Sequence, residues 1–240
     1  MKNLKYALIL ILIVNTVQCQ KIKKLKPERF VTLAIPEPSD LCFSFDKKSI
    51  FMVSDEGFLF ETDKNGTIIR KANFEGVDCE AVFADEKYVY VVEETTREIK
   101  VFNLKDLTLE KTISLPYSGG RNKGYEAFTF NKSKNKYIVL TEKDPVFLFE
   151  LDLEFKVFNK IKLEKIARDI SAATYHNNFL WLLSDEDNTV FKLNPNNYEV
   201  LKKWKIKVLN PEGISFDENG NMLILSDDLK RLYFFKTPEN

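Results

Sequence analysis

One pattern recurs five times along this chain. A short apolar strand meets a polar turn, a second strand ends in acids, and an amphipathic hairpin follows. The opening strands begin at Leu41, Glu80, Glu126, Ser171 and Glu212, 39 to 46 residues apart. The second strands are β-rich runs such as Val89-Tyr90-Val91-Val92 and Leu180-Trp181-Leu182-Leu183, closed by polar breaks. The hairpins start at runs such as Phe58-Leu59-Phe60 and Phe147-Leu148-Phe149, and the first turns through Asn65-Gly66, a strong hairpin signal. Four strands in a repeat of about 40–45 residues are the signature of β-propeller blades, because one such sheet cannot bury both faces alone.

The fifth unit stops after Arg231-Leu232-Tyr233-Phe234-Phe235, one strand short. An orphan run, Arg29-Phe30-Val31-Thr32-Leu33-Ala34-Ile35, precedes the first unit. It is expected to supply the missing strand and close a five-bladed ring, which also removes an exposed sheet edge. A β-sandwich with a loose N-terminal arm is the competing arrangement. A six-bladed ring would need a sixth repeat, and none is found.

Residues 1–19 read as a signal peptide: a basic start at Lys2 and Lys5, an apolar run from Tyr6 to Val14, and a polar exit. The run is too short for a bilayer span, which needs about 20 apolar residues. Cleavage after Cys19 would leave Gln20 as the new terminus, whereas cleavage before Cys19 would make it a lipid anchor. Residues 20–28, with the basic patch from Lys21 to Lys26, read as a solvated tether, and 29–240 as one propeller domain. The segment 115–124 reads as an inter-blade loop. Without residues 1–19 the chain has 34 basic and 36 acidic residues, which gives no reason to expect nucleic acid as a partner. Cys42 and Cys79 then remain, as one bridge or as two buried thiols.

The first and second strands of a blade are antiparallel, so the start of one lies beside the end of the other. Glu80, Glu126 and Glu212 begin three first strands, and Asp55, Glu93, Glu142, Asp185 and Asp227 lead the acidic clusters after the second strands. The first strand lines a propeller's channel, so these carboxylates should converge on one mouth. Crowded like charges require a cation or protons, and hard cations such as Ca²⁺ take carboxylate oxygens. A calcium site on Glu80, Glu126 and Glu212 is therefore expected, with Asp40, Asp78 and Asp169 as further ligand-binding candidates. Solvated strand-end acids are the alternative. Arg121, Lys123 and Lys143 could orient an anionic ligand, or serve as surface charges.

The ordered motifs resemble those of the SdiA-regulated family of bacterial envelope propellers. Pro211-Glu212-Gly213-Ile214 is similar to its PEGI signature and Asp169-Ile170-Ser171-Ala172 to its DLSG blade. Tyr125-Glu126-Ala127-Phe128, with Glu142-Lys143-Asp144-Pro145, resembles its FEGL…KEKDP blade, and Val53-Ser54-Asp55-Glu56 its VSDE. Ala81, Ala127 and Ala172 stand where glycine is usual, and Leu41-Cys42 replaces Ser-Gly in the first blade. The resemblance covers about residues 30–236 and implies a propeller, an envelope location (periplasm or cell surface) and a calcium site, but no defined reaction.

The one histidine, His176, falls in a turn at the far end of its blade from the acids. Ser-His-Asp catalysis is therefore not expected, and neither a phosphate loop nor zinc-ligand spacing is present. Trp181 and Trp204 read as core and inter-blade packing. The expected role is binding of a small molecule or envelope protein. A calcium-dependent esterase or lactonase, in the manner of gluconolactonase-like propellers, is the second reading, and a metal-free structural propeller the third.

Overall fold

The computed structural model describes residues 22–116, 124–163 and 166–239. Blade one is β3 (Pro38–Phe43), β4 (Ile50–Ser54), β5 (Phe58–Thr62) and β6 (Ile68–Lys71), after β1 (Lys23–Lys24) and β2 (Arg29–Thr32). Blade two is β7 (Cys79–Ala84), β8 (Tyr88–Glu93), β9 (Glu98–Asn103) and β10 (Leu109–Ser114). Blade three is β11 (Ala127–Asn131), β12 (Lys136–Leu140), β13 (Phe147–Leu151) and β14 (Val157–Lys162). Blade four is β15 (Ala172–His176), β16 (Phe179–Ser184), β17 (Thr189–Leu193) and β18 (Val200–Lys205). Blade five is β19 (Pro211–Phe216), β20 (Met222–Ser226) and β21 (Arg231–Phe235), completed by β2.

Each blade is an antiparallel sheet in sequence order. The first strands stand side by side around the axis: β3 packs on β7, β7 on β11, β11 on β15, β15 on β19, and β19 on β3. The ring is therefore closed, with five blades. Closure runs as the sequence implies: β2 pairs antiparallel with β21, Arg29 opposite Phe234 and Thr32 opposite Arg231.

The core is divided among the five seams between blades. The seam between blades five and one gathers Leu33, Ile35, Leu41, Met52, Leu223 and Leu232. That between four and five holds Trp181 and Trp204, their rings stacked 5.3 Å apart. Second strands are covered on both faces by neighbouring blades, which is why they read as unbroken apolar runs; every residue of β4 is buried. The outer strands β6, β10, β14 and β18 are mostly exposed.

Two details differ from the sequence reading, and a third decides between its alternatives. The expected tether is partly tied down, because β1 pairs in parallel with β18, Lys23 opposite Trp204, while both lysines stay exposed. At the Asn65-Gly66 turn only Gly66 has positive φ, and the Asp63 carboxylate receives the Asn65 and Thr67 N–H groups. Cys42 and Cys79 are free thiols on different blades. The segment 115–124, read as an inter-blade loop, and Arg121 lie largely or wholly outside the described residues, as do residues 1–19, read as a signal peptide. Among the described residues, no helix is long and apolar enough to cross a membrane.

Candidate metal centre

The site begins with a backbone irregularity. In blades one, two and five the ladder between first and second strands skips one residue, at Ser39, Glu80 and Glu212 respectively. Such a bulge re-aims the extra side chain, and all three line the same channel mouth. Glu126 and Ser171 hold the equivalent place just before β11 and β15, donating their N–H groups to the Leu140 and Leu183 carbonyls. Ser39, Glu80, Glu126, Ser171 and Glu212 thus form one ring, one residue per blade. The blade-one equivalent of the three glutamates is a serine, two positions earlier than the Leu41 start read from sequence. Its hydroxyl donates to the Cys79 carbonyl, and Ser171 donates to that of Pro211 at 2.7 Å, so both serines tie one blade to the next.

A second tier follows the second strands: Asp55, Glu94, Glu142, Asp185 and Asp227. In blade two the sequence reading named Glu93, but the register gives that tier to Glu94. Glu93 lies opposite Cys79, as Ser54 lies opposite Pro38. It is buried, 3.4 Å from Lys100 Nζ, and accepts from Thr96 Oγ1 at 2.6 Å. Glu94 instead accepts the Gly124 N–H at 2.9 Å. A β-carbon on Gly124 would lie 2.1 Å from the Glu94 carbonyl oxygen, so only glycine permits that approach. Glu37, Asp78 and Asn210, all at positive φ, anchor this tier: their carbonyls accept the N–H groups of Asp55, Glu94 and Asp227.

The mouth encloses about 230 Å³. Among the described residues nine carboxylates and two serines line it, with no lysine or arginine. Burial, then neighbouring carboxyl groups, raises Asp55, Glu80, Glu126, Asp185, Glu212 and Asp227. Glu80 is raised well above its ordinary value by burial, then by Asp55 and Asp78. Burial and Glu80 do the same to Glu126. Glu212 is pushed up to about 8 by burial, then by Asp185 and Asp227. Asp55 rises to about 6, through burial and a hydrogen bond with Asp78.

Asp55 and Glu80 of this lining, with Asp78 beside them, bring one oxygen each to within 4.8 Å of one another, close enough to hold one metal ion. The set is all oxygen, the donor chemistry of Ca²⁺, Mg²⁺ or Mn²⁺ and not of zinc or copper. Of the residues singled out from sequence, Glu80 and Asp78 meet here, together with Asp55. Glu126, Glu212 and Asp169 line the same cavity outside this tightest group. Asp169 accepts from Ser184 Oγ and from the N–H groups of Asp185 and Glu186. Asp40 is turned into the seam between blades one and two, accepting the Val82 N–H at 2.9 Å, with its other oxygen unpartnered. Lys143 sits at the rim, held by Glu142 at 2.6 Å and Glu186 at 3.1 Å. His176 lies flat on Phe216, ring centres 4.3 Å apart, at the ends of β15 and β19 away from the acids.

A family model described as SdiA-regulated matches residues 23–236. The chain belongs to the SdiA-regulated family. The motifs of this SdiA-regulated propeller fall on the mouth itself: the PEGI and FEGL glutamates are Glu212 and Glu126 of the ring, and the VSDE aspartate is Asp55. Among solved structures it is similar to the Myxococcus xanthus glutaminyl cyclase, with 14% identity and a TM-score of 0.71 over 89% of this chain and 98% of that one. It is also similar to the β-propeller domain of Myceliophteria thermophila Cps50 (Swd1), with 6% identity and a TM-score of 0.53 over 87% and 99%. At such identities these likenesses establish the propeller fold alone.

Proposed function

We propose that this SdiA-regulated propeller is an exported binding module that holds Ca²⁺ at its acidic mouth and recognises a small molecule or envelope protein there. The observation that carries the reading is the oxygen triad of Asp55, Asp78 and Glu80, at a cavity whose lining, among the described residues, holds no cationic side chain. So many desolvated carboxylates need protons or a cation. Calcium suits the site better than magnesium, because it accepts six to eight oxygens in irregular arrangements. Glu126 and Glu212 are close enough to feel the ion's charge, and the half-buried triad leaves room for a partner's oxygens. Export rests on the basic start and apolar run of residues 1–19, with Cys19 as an alternative lipid anchor.

The test is calorimetric titration of chelator-stripped protein with Ca²⁺ and with Mg²⁺, alongside Asp55→Asn and Glu80→Gln. One calcium site that both substitutions weaken, with little response to magnesium, supports the reading. No heat with either ion sinks it.

Glu212 favours a second reading, an enzyme. A carboxyl pushed up to about 8 keeps its proton near neutral pH and can deliver it to a leaving group as a general acid. Ester and lactone hydrolysis fit that chemistry. The likeness to a glutaminyl cyclase adds glutaminyl cyclisation to the screen. Turnover of any of these, lost in Glu212→Gln with the fold intact, would favour the enzyme over the binding module.

A further inference from the structure

The far mouth of the channel has the opposite character. The five first strands begin at the acids, and their other ends surround a cavity of about 410 Å³. That volume lies within the range of about 300–1,000 Å³ typical of small-molecule sites. Its walls are mostly apolar, including Phe83, Phe130 and Tyr175, with the exposed ring of Phe45 at the rim. The Phe83 and Phe130 rings are near-parallel, 6.5 Å apart. Lys47 and Lys132 line the same space.

Among the described residues neither lysine is ion-paired with an acid, and Lys47 donates only to the Phe216 carbonyl, at 3.0 Å. The Lys47 ammonium also lies 4.8 Å from the Phe43 ring centre. Burial and the neighbouring charge of Lys132 lower its proton affinity, and Cys42, Asp217 and Glu218 act the other way. Asp85, Glu86 and Lys87 complete the charged groups of the lining. Asp85 is occupied: its oxygens accept from the Lys87 and Tyr88 N–H groups and from the Tyr90 hydroxyl. Glu86 is exposed.

We propose that this lysine-and-phenylalanine mouth is a second binding site, for a small organic carboxylate with an aromatic or aliphatic body. The body fills the apolar walls, and the carboxylate meets Lys47 and Lys132. A half-desolvated ammonium gains more from an anion than one in bulk water, because the local dielectric is lower. Charge also selects the end of the channel. The acidic mouth repels such a ligand, and the far mouth attracts it.

The probe is 1-naphthoate, titrated by calorimetry into the whole protein beside its cationic analogue 1-naphthylmethylammonium. One naphthoate site is expected, with no binding of the ammonium at this mouth. Lys47→Gln should weaken naphthoate about tenfold or more, as loss of one partner of a desolvated charge pair does, and Lys132→Gln, at the exposed partner, about two- to fivefold. Lys207→Gln, on the exposed surface elsewhere, should leave it unchanged. Lys132 is exposed, so its variant decides the matter even if the Lys47 variant fails to fold. No heat with naphthoate, or binding indifferent to Lys132→Gln, overturns the proposal.

Discussion

Replacing Glu212 with glutamine removes a carboxylate that the metal-free fold holds under strain of charge. Its folded pKa is pushed from 4.5 up to about 8. The sign follows from linkage: a raised folded pKa means the folded state binds the proton more tightly than the unfolded one. The stability this provides is complete below pH 4.5 and is lost as pH rises toward 8. Near pH 7 the loss spans most of that interval, about 3 kcal/mol at about 1.4 kcal/mol per unit. Glutamine is neutral at every pH and escapes the penalty. In chelator, Glu212→Gln should therefore match wild type at about pH 4 and exceed it by about 3 kcal/mol at about pH 7. For a chain of this size that is a rise in Tm of about 6–12 °C. Urea or thermal unfolding at several pH values measures it. Saturating calcium should narrow the gap, because the ion compensates the charge in the wild type. A variant no more stable than wild type near neutral pH, or a gap indifferent to pH, would refute the reasoning.

Ile35 is fully buried in the closing seam, so Ile35→Ala should destabilise by about 2–5 kcal/mol in denaturant titration; a loss well below that would mean the seam carries little of the ring's stability. His176 is pushed down to about 4, chiefly by burial against its stacked partner. As pH falls from 6.5 toward 4 the unfolded chain takes a proton the folded one resists, so stability drops, by about 1–2 kcal/mol after discount for its partial exposure. His176→Phe should abolish that part of the pH profile. Gly124→Ala, which must push the backbone away from Glu94, should leave the fold intact by circular dichroism yet weaken calcium binding severalfold in calorimetry.

The five blades were legible because each second strand is an apolar run between polar breaks, and a repeat of that kind survives without knowledge of contacts. The closing strand was legible because the run 29–35 is left over before the first complete unit while the fifth unit is one strand short. The ring glutamates were visible as the first residue of three strands. Ser171 was visible likewise as the start of the fourth opening strand, but Ser39 was not. Blade one was read as starting at Leu41, two residues late, because Ser39 lacks the acid that marks Glu80, Glu126 and Glu212 at the same place in the ring. Glu93 and Glu94 are adjacent acids that only the β7–β8 register tells apart. The triad itself spans two blades, since Asp55 follows β4 while Asp78 and Glu80 flank the start of β7. Their approach depends on how one blade is rotated against the next, which no single repeat encodes. The lysine mouth was missed likewise, because Lys47, Phe83, Phe130 and Lys132 come from turns and strand ends of three blades.

The most direct test of the metal centre is an anomalous difference map from crystals of the stripped protein soaked with calcium. The account predicts one peak at the acidic mouth, about 2.3–2.6 Å from oxygens of Asp55, Asp78 and Glu80. A mouth occupied only by ordered water between protonated carboxylates, with no peak there at saturating calcium, would contradict it.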